Sequence, residues 1–172
     1  MPRGSETDEY TAYVTARAPA LRRSAYLLCG DWHRADDLVQ VTITKLYVHW
    51  RRASRADNLD AYTRQILLRS WLDERRLGWF RRVRAAGSAA DIPDRPALTS
   101  DPDQRLALRQ ALSQLPPRQR ATVVLRFWED LSVAETARLL RCSEGTVKSQ
   151  TAQALTALRR LLAEPTFGPP AR

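Results

Sequence analysis

The sequence predicts an all-α protein of two small helical domains joined by a flexible linker, with a helix-turn-helix in the C-terminal one. Three observations carry this. Apolar residues recur at helical spacing almost throughout, and no segment alternates with the period of two that a half-buried strand needs. Between residues 83 and 100 the composition shifts to Ala85-Ala86-Gly87-Ser88-Ala89-Ala90 and then Pro93 and Pro96, which reads as a linker. Finally, Ser132 and Glu135 form a capping-box pattern, followed by a turn at Arg141-Cys142 and a second cap at Ser143. The domains are therefore expected over residues 1–82 and 101–164, with a linker at 83–100 and a frayed, Pro-rich tail at 165–172.

The chain has 172 residues and a formal net charge of +9, from 28 Lys+Arg against 19 Asp+Glu. Its 44% hydrophobic content and five tryptophans exclude a largely disordered chain. No apolar run approaches the roughly 18 residues of a membrane span, so membrane insertion is not expected. The opening residues lack the apolar stretch of a secretory signal, so a cytoplasmic location is expected. Residues 64–84 hold Arg64, Arg69, Arg75, Arg76, Arg81, Arg82 and Arg84 against Asp73 and Glu74, more than half of the net charge in one short window. Such clustering suits a polyanion, chiefly nucleic acid, with a solvated arginine-rich helix end as the plainer alternative.

The first helix is expected from Tyr10 to Leu28, with Pro19 kinking or breaking it. Gly30 ends it, and Asp31 caps the second helix. There Val39, Ile43, Leu46, Tyr47 and Trp50 fall at i, i+4, i+7, i+8 and i+11. Asp36 and Gln40, one turn apart, point away from that stripe with Asp37 beside them, on its own an acidic helix start favoured by the helix dipole. The loop Arg51-Arg52-Ala53-Ser54-Arg55-Ala56-Asp57-Asn58 follows. A third helix begins near Asn58 and reaches about Trp79, burying Leu59, Tyr62, Ile66, Leu67 and either Leu68 or Trp71. Its polar side carries Gln65, Arg69 and Arg76. Trp50, Trp71 and Trp79 lie on or near apolar stripes and read as core residues ahead of stacking platforms.

In the C-terminal half, Asp101-Pro102 restarts a helix as N-cap and first-turn proline. Leu115-Pro116-Pro117 interrupts it and starts another through Val123, Val124, Phe127 and Trp128. After the capping box, Ala137, Arg141 and Val147 stand at the small, turn and buried-apolar positions of a helix-turn-helix. The last helix has an apolar stripe of Val147, Thr151, Ala154, Leu155, Leu158, Leu161 and Leu162. Its opposite face presents Gly145, Thr146, Ser149, Ala152 and Gln153, flanked by Lys148 and Gln150. These short or polar side chains can approach base edges and phosphates in a major groove. A hairpin built only for packing would not need Gly145 and Thr146 in that first turn.

Trp128-Glu129-Asp130-Leu131-Ser132, then Ser143-Glu144-Gly145-Thr146-Val147-Lys148-Ser149, resembles the C-terminal domain of extracytoplasmic-function (ECF) RNA polymerase sigma factors, and within them an actinobacterial sigma-E-like group. Leu115-Pro116-Pro117-Arg118-Gln119-Arg120 is similar to that family's lead-in helix, and Ala35-Asp36-Asp37-Leu38-Val39-Gln40 to its polymerase-binding segment. The resemblance spans roughly residues 8–82 and 101–163. It implies promoter-specific transcription initiation, with bacterial core RNA polymerase and promoter DNA as partners and an anti-sigma protein as a further candidate partner. Thr146, Lys148, Ser149, Gln150 and Gln153 become candidates for reading the minus-thirty-five element. Arg51, Arg52, Ser54, Arg55 and Asn58 in the loop, with Gln65, Arg69 and Arg76 on the following helix, become candidates for capturing and melting the minus-ten element. Asp36, Asp37 and Gln40 become candidates for binding basic residues of the polymerase clamp.

The chain departs from the family in two respects. Gln150 and Gln153 stand where the family often has arginine, which implies fewer phosphate contacts. Arg141 stands where it usually has glycine, so an adjusted turn is expected, because a left-handed residue other than glycine costs on the order of 1 kcal/mol.

Neither a cofactor nor catalysis is expected. His33 and His49 are the only histidines, and no HExxH, P-loop or GxSxG pattern occurs. Cys29 and Cys142, far apart in apolar contexts, read as reduced structural thiols, and no metal site is expected. Two rival readings remain. A stand-alone helix-turn-helix regulator would not need the Asp36–Gln40 patch, and a helical protein-binding adaptor would not need the face around Ser149.

Overall fold

A computed structural model of the chain describes residues 4–81 and 101–163, with side chains described for 4–77 and 101–163. The expected linker, the tail and the side chain of Trp79 lie outside the described residues. All regular structure among the described residues is helical: α1 (Gly4–Cys29), α2 (Trp32–Val48), α3 (Trp50–Ala53), α4 (Leu59–Arg81), α5 (Pro102–Gln114), α6 (Pro117–Val123), a π-helical turn (Val124–Trp128), α7 (Val133–Leu140) and α8 (Glu144–Ala163). The chain divides into two compact units, the first holding α1–α4 and the second α5–α8.

In the first unit α1, α2 and α4 pack on one another. Ala25 and Ala35, both fully buried, let α1 and α2 approach closely, and Leu28, Leu38, Leu46, Leu67, Leu68 and Trp71 fill the centre. Trp50 and Ala53 of α3 close one end with Leu46, against Tyr10, Tyr13, Val14, Leu59, Tyr62 and Ile66. Trp50 and Trp71 are thus core residues, as their stripes suggested.

Four details differ from the sequence reading. α1 runs unbroken through Pro19. Pro19 and Thr15 are both exposed, so the carbonyl of Thr15 that loses its partner can bond water instead. The buried stripe of α2 is Ala35, Leu38, Val39, Thr42 and Leu46, with Ile43 and Tyr47 only half-buried. Thr42 escaped an apolar pattern because it is polar; its hydroxyl donates to the Leu38 carbonyl at 2.7 Å, so burial leaves no unpaired group. Arg51, Arg52 and Ala53 belong to the one-turn helix α3 rather than to a loop.

The fourth difference is in the second unit, where α8 packs on α5, α6 and α7. Its buried face is Val147, Ala154 and Leu158, with Thr151, Leu155 and Leu161 half-buried, whereas Leu162 is exposed near the end of α8.

Capping follows the sequence closely. Gly30 takes a positive φ of 74° after α1, and Asp31 accepts the Arg34 N–H at 3.0 Å. Asp101 accepts from Asp103 N at 3.1 Å with Pro102 at the helix start. The π-turn is new: Glu129 N bonds Val124 O at 3.0 Å, one residue wider than an α-turn. Phe127 and Trp128, at the end of that turn, are 57% and 51% exposed.

Candidate nucleic-acid and polymerase interfaces

The helix-turn-helix is built from reciprocal caps. Ser132 N donates to Glu135 Oε2 at 2.8 Å and Glu135 N to Ser132 Oγ at 3.1 Å, so the predicted capping box is present. α7 ends at Arg141, which adopts the left-handed conformation (φ 52°, ψ 53°). The expected adjustment of this turn is therefore absent. Cys142 N bonds Ala137 O at 3.0 Å, and Arg118 from α6 donates to Leu140 O at 2.7 Å; these bonds hold the turn in place of a glycine's freedom. Ser143 then caps α8 by accepting Thr146 N at 3.1 Å, and Val147, fully buried, anchors its first turn.

This anchoring presents one face outward. Gly145, Lys148, Ser149, Ala152 and Gln153 are exposed, while Thr146 and Gln150 are half-buried. A Cβ on Gly145 would meet only Ser143 Oγ, at 3.7 Å, so internal packing does not demand glycine there. Two of the candidates have internal bonds. The Thr146 hydroxyl pairs with Ser143 Oγ at 2.9 Å, and Gln153 Oε1 accepts from Gln119 Nε2 of α6 at 3.1 Å.

In the first unit, α3 and the segment to Asn58 expose Arg51, Arg52, Ser54, Arg55 and Asn58. Arg51 is tied to Glu6 of α1 at 3.2 Å. Asn58 caps α4, its Oδ1 accepting Ala61 N at 2.8 Å. Along α4, Gln65 and Arg69 are half-buried and Arg76 is exposed, so the predicted polar stripe is partly covered at its start. Arg17 pairs with Asp60 of α4, whose carboxylate also accepts the Tyr13 hydroxyl at 2.9 Å. Burial pushes that hydroxyl up from 10.0 to about 12. Arg34 donates to Glu74 at 3.0 Å, which raises its pKa further and fastens the start of α2 to α4.

The acidic start of α2 divides. Asp37 and Gln40 are exposed. Asp36 is gripped by Arg22 of α1, Nε to Oδ1 at 2.5 Å and Nη2 to Oδ2 at 3.2 Å. Beyond Gln40 the outward stripe continues through Val41, Thr44 and Val48, with Val41 and Val48 44% and 71% exposed. Sequence reasoning missed these valines because it sought charge; their signal was the i, i+4, i+7, i+11 spacing from Asp37. Among the described residues no group of three or more His, Cys, Asp and Glu is placed to hold a metal, and no helix is long and apolar enough to cross a membrane.

A helix-turn-helix unit with short and polar side chains on the outward face of α8 thus lies on one chain with an arginine-bearing helical unit whose second helix shows an acidic and apolar outer stripe. The family description "Sigma-70 region 2" matches residues 13–81, and "Sigma-70, region 4" matches residues 105–158. The chain is 36% identical over 160 residues to the RNA polymerase sigma-E factor of Streptomyces coelicolor, covering 91% of this chain and 88% of that one. It is 32% identical over 160 residues to the ECF RNA polymerase sigma factor SigL of Mycobacterium tuberculosis, covering 89% and 88%. Among solved structures, the sigma factor RpoE in complex with the anti-sigma factor NepR, from Bartonella quintana, matches with a TM-score of 0.73 and 25% identity, over 91% of this chain and 98% of that one. CnrH, solved with the cytosolic domain of CnrY, shares the fold (TM-score 0.65, 19% identity, 93% and 91% covered). The chain belongs to the ECF sigma factors of RNA polymerase.

Proposed function

We propose that this chain binds core RNA polymerase through the outer face of α2 and directs promoter-specific initiation by reading and melting promoter DNA. The observation that carries the reading is the pairing, on one chain, of a region 2 unit with Asp37 and Gln40 exposed on α2 and a region 4 unit with Lys148 and Ser149 exposed on α8.

The unit within residues 101–164 reads the minus-thirty-five element. Lys148 meets a phosphate, Ser149 and Gln153 reach base edges, and Thr146 and Gln150 line the margin. The unit within residues 1–82 takes the minus-ten element. Arg52 and Arg55, with Arg51, Arg69 and Arg76, follow the backbone of the separated strand, while Ser54, Asn58 and Gln65 offer hydrogen bonds to an unstacked base. On α2, Asp37 and Gln40 meet basic residues of the polymerase, where complementary charge sets register and association rate more than affinity.

The polymerase supplies the chemistry; this chain supplies recognition, and it works in the cytoplasm beside that partner. The RpoE complex with NepR supports an anti-sigma protein as a further partner.

Run-off transcription with purified chain and core polymerase, on a promoter found by sequencing bound fragments, tests the reading. Initiation dependent on the chain is the expected result. Duplex binding without initiation would instead make it a stand-alone regulator, and polymerase binding without promoter selection would make it an adaptor.

A further inference from the structure

We propose that Arg22 is a specificity-determining residue of the polymerase-facing helix: it masks Asp36, so that Asp37 and Gln40 carry the polar contact made by the start of α2. The inference rests on the reading of α2 as the polymerase-binding face. Arg22 and Tyr26 stand one turn apart on α1, and Trp32 and Asp36 stand one turn apart on α2. Across the helix pair they form a continuous stack. The Tyr26 and Trp32 rings lie nearly parallel (11°) with centroids 3.8 Å apart. The Arg22 guanidinium covers Trp32 at 4.3 Å, and its fork reaches both oxygens of Asp36.

An exposed ion pair between flexible side chains is ordinarily a loose contact. Here the indole fixes the plane of the guanidinium, so the fork is oriented before it meets the carboxylate. Both Asp36 oxygens therefore have a partner and its charge is compensated. Asp37, about 100° further round the helix, is exposed. Of two adjacent carboxylates only one is left to steer and meet a basic partner.

Association rate follows uncompensated charge, whereas dissociation follows direct contacts. This separates the roles of Arg22, Asp36 and Asp37. The full chain and its variants are mixed with a bacterial core RNA polymerase by stopped flow, at low and at high salt. Arg22→Gln exposes the Asp36 charge and is expected to speed association about two-fold at low salt, with the gain lost at high salt. Slower or unchanged association would overturn the proposal, as would an equal gain from Arg23→Gln, which removes the neighbouring exposed charge of α1 without unpairing Asp36. Arg22→Gln/Asp36→Asn replaces the ions by a neutral amide pair and is expected to dissociate at the wild-type rate. Faster dissociation of this double variant would show Asp36 touching polymerase and would overturn the proposal; this outcome is readable even where Arg22→Gln alone does not fold. Asp37→Asn is expected to dissociate several-fold faster. No effect of either Asp37→Asn or Gln40→Ala would overturn the polymerase-binding reading of α2 itself, and the masking role with it.

Discussion

The guanidinium of Arg118, in the first turn of α6, donates to the backbone carbonyl of Leu140 at the end of α7, at 2.7 Å. A positive charge thereby sits at a helix C-terminus and occupies a carbonyl that has no partner within its own helix. The lead-in helix thus holds the turn of the helix-turn-helix. Arg118→Ala is expected to cost the second unit about 1 kcal/mol. Its melting temperature should fall by about 4–8 °C for a unit of this size. Thermal unfolding followed by circular dichroism measures this, and hydrogen exchange at Arg141 and Cys142 should quicken in the same variant.

Arg141 carries the strain that glycine would relieve. Arg141→Gly removes the Cβ clash at φ 52° but loosens the unfolded chain, so the net gain should be about 0.5–1 kcal/mol. Arg141→Val should lose stability, since a β-branched side chain tolerates a positive φ least. Chemical denaturation of the pair gives the two signs.

Lys148 is exposed on α8 and bears the positive charge in the first turns of that helix's outward face. Lys148→Ala is expected to weaken binding to an upstream promoter duplex and to flatten the dependence of log K on log salt by about one unit. A salt titration of affinity decides it, and an unchanged slope would mean that Lys148 meets no phosphate.

Tyr13 gives the first unit an alkaline limit. Burial, with the Asp60 carboxylate as acceptor, lifts its hydroxyl from 10.0 to about 12. The folded state thus retains a proton that the unfolded state has lost. The stability due to this group is complete below about pH 10 and disappears as pH rises from 10 to about 12. Tyr13→Phe should remove that part of the pH dependence, while lowering stability at neutral pH by about 1 kcal/mol through the lost hydrogen bonds. Denaturation midpoints across that pH range, for both proteins, measure the difference.

Most of the helical framework was legible because local rules govern it. Asp31, Asp101, Ser132 and Ser143 cap the helices they precede by bonding N–H groups two or three residues on, an interaction that needs no distant partner. Apolar patterning missed two features that hydrophobicity does not encode. Thr42 can be buried because its hydroxyl returns to the Leu38 carbonyl, and Phe127 and Trp128, within the π-turn, are exposed. The candidate site shows the same division. Ser149 and Lys148 lie on the outward face that helical spacing implied. Spacing could not reveal that Gln153 is bonded by Gln119, that Asn58 serves as a cap, or that Arg51 is paired with Glu6.

By itself, the sequence determined the helical class, the caps, the helix-turn-helix and the residue types on the outward helix faces, since each depends on neighbours within a turn or two. Tertiary structure decided which of those polar groups are still available. Arg22 comes from a different helix to take Asp36 out of the acidic patch, and Arg118 comes from another to take the Leu140 carbonyl beside Arg141. A side chain's periodicity gives the direction in which it points, but its free valence depends on what packs beside it. That is set only when the helices meet.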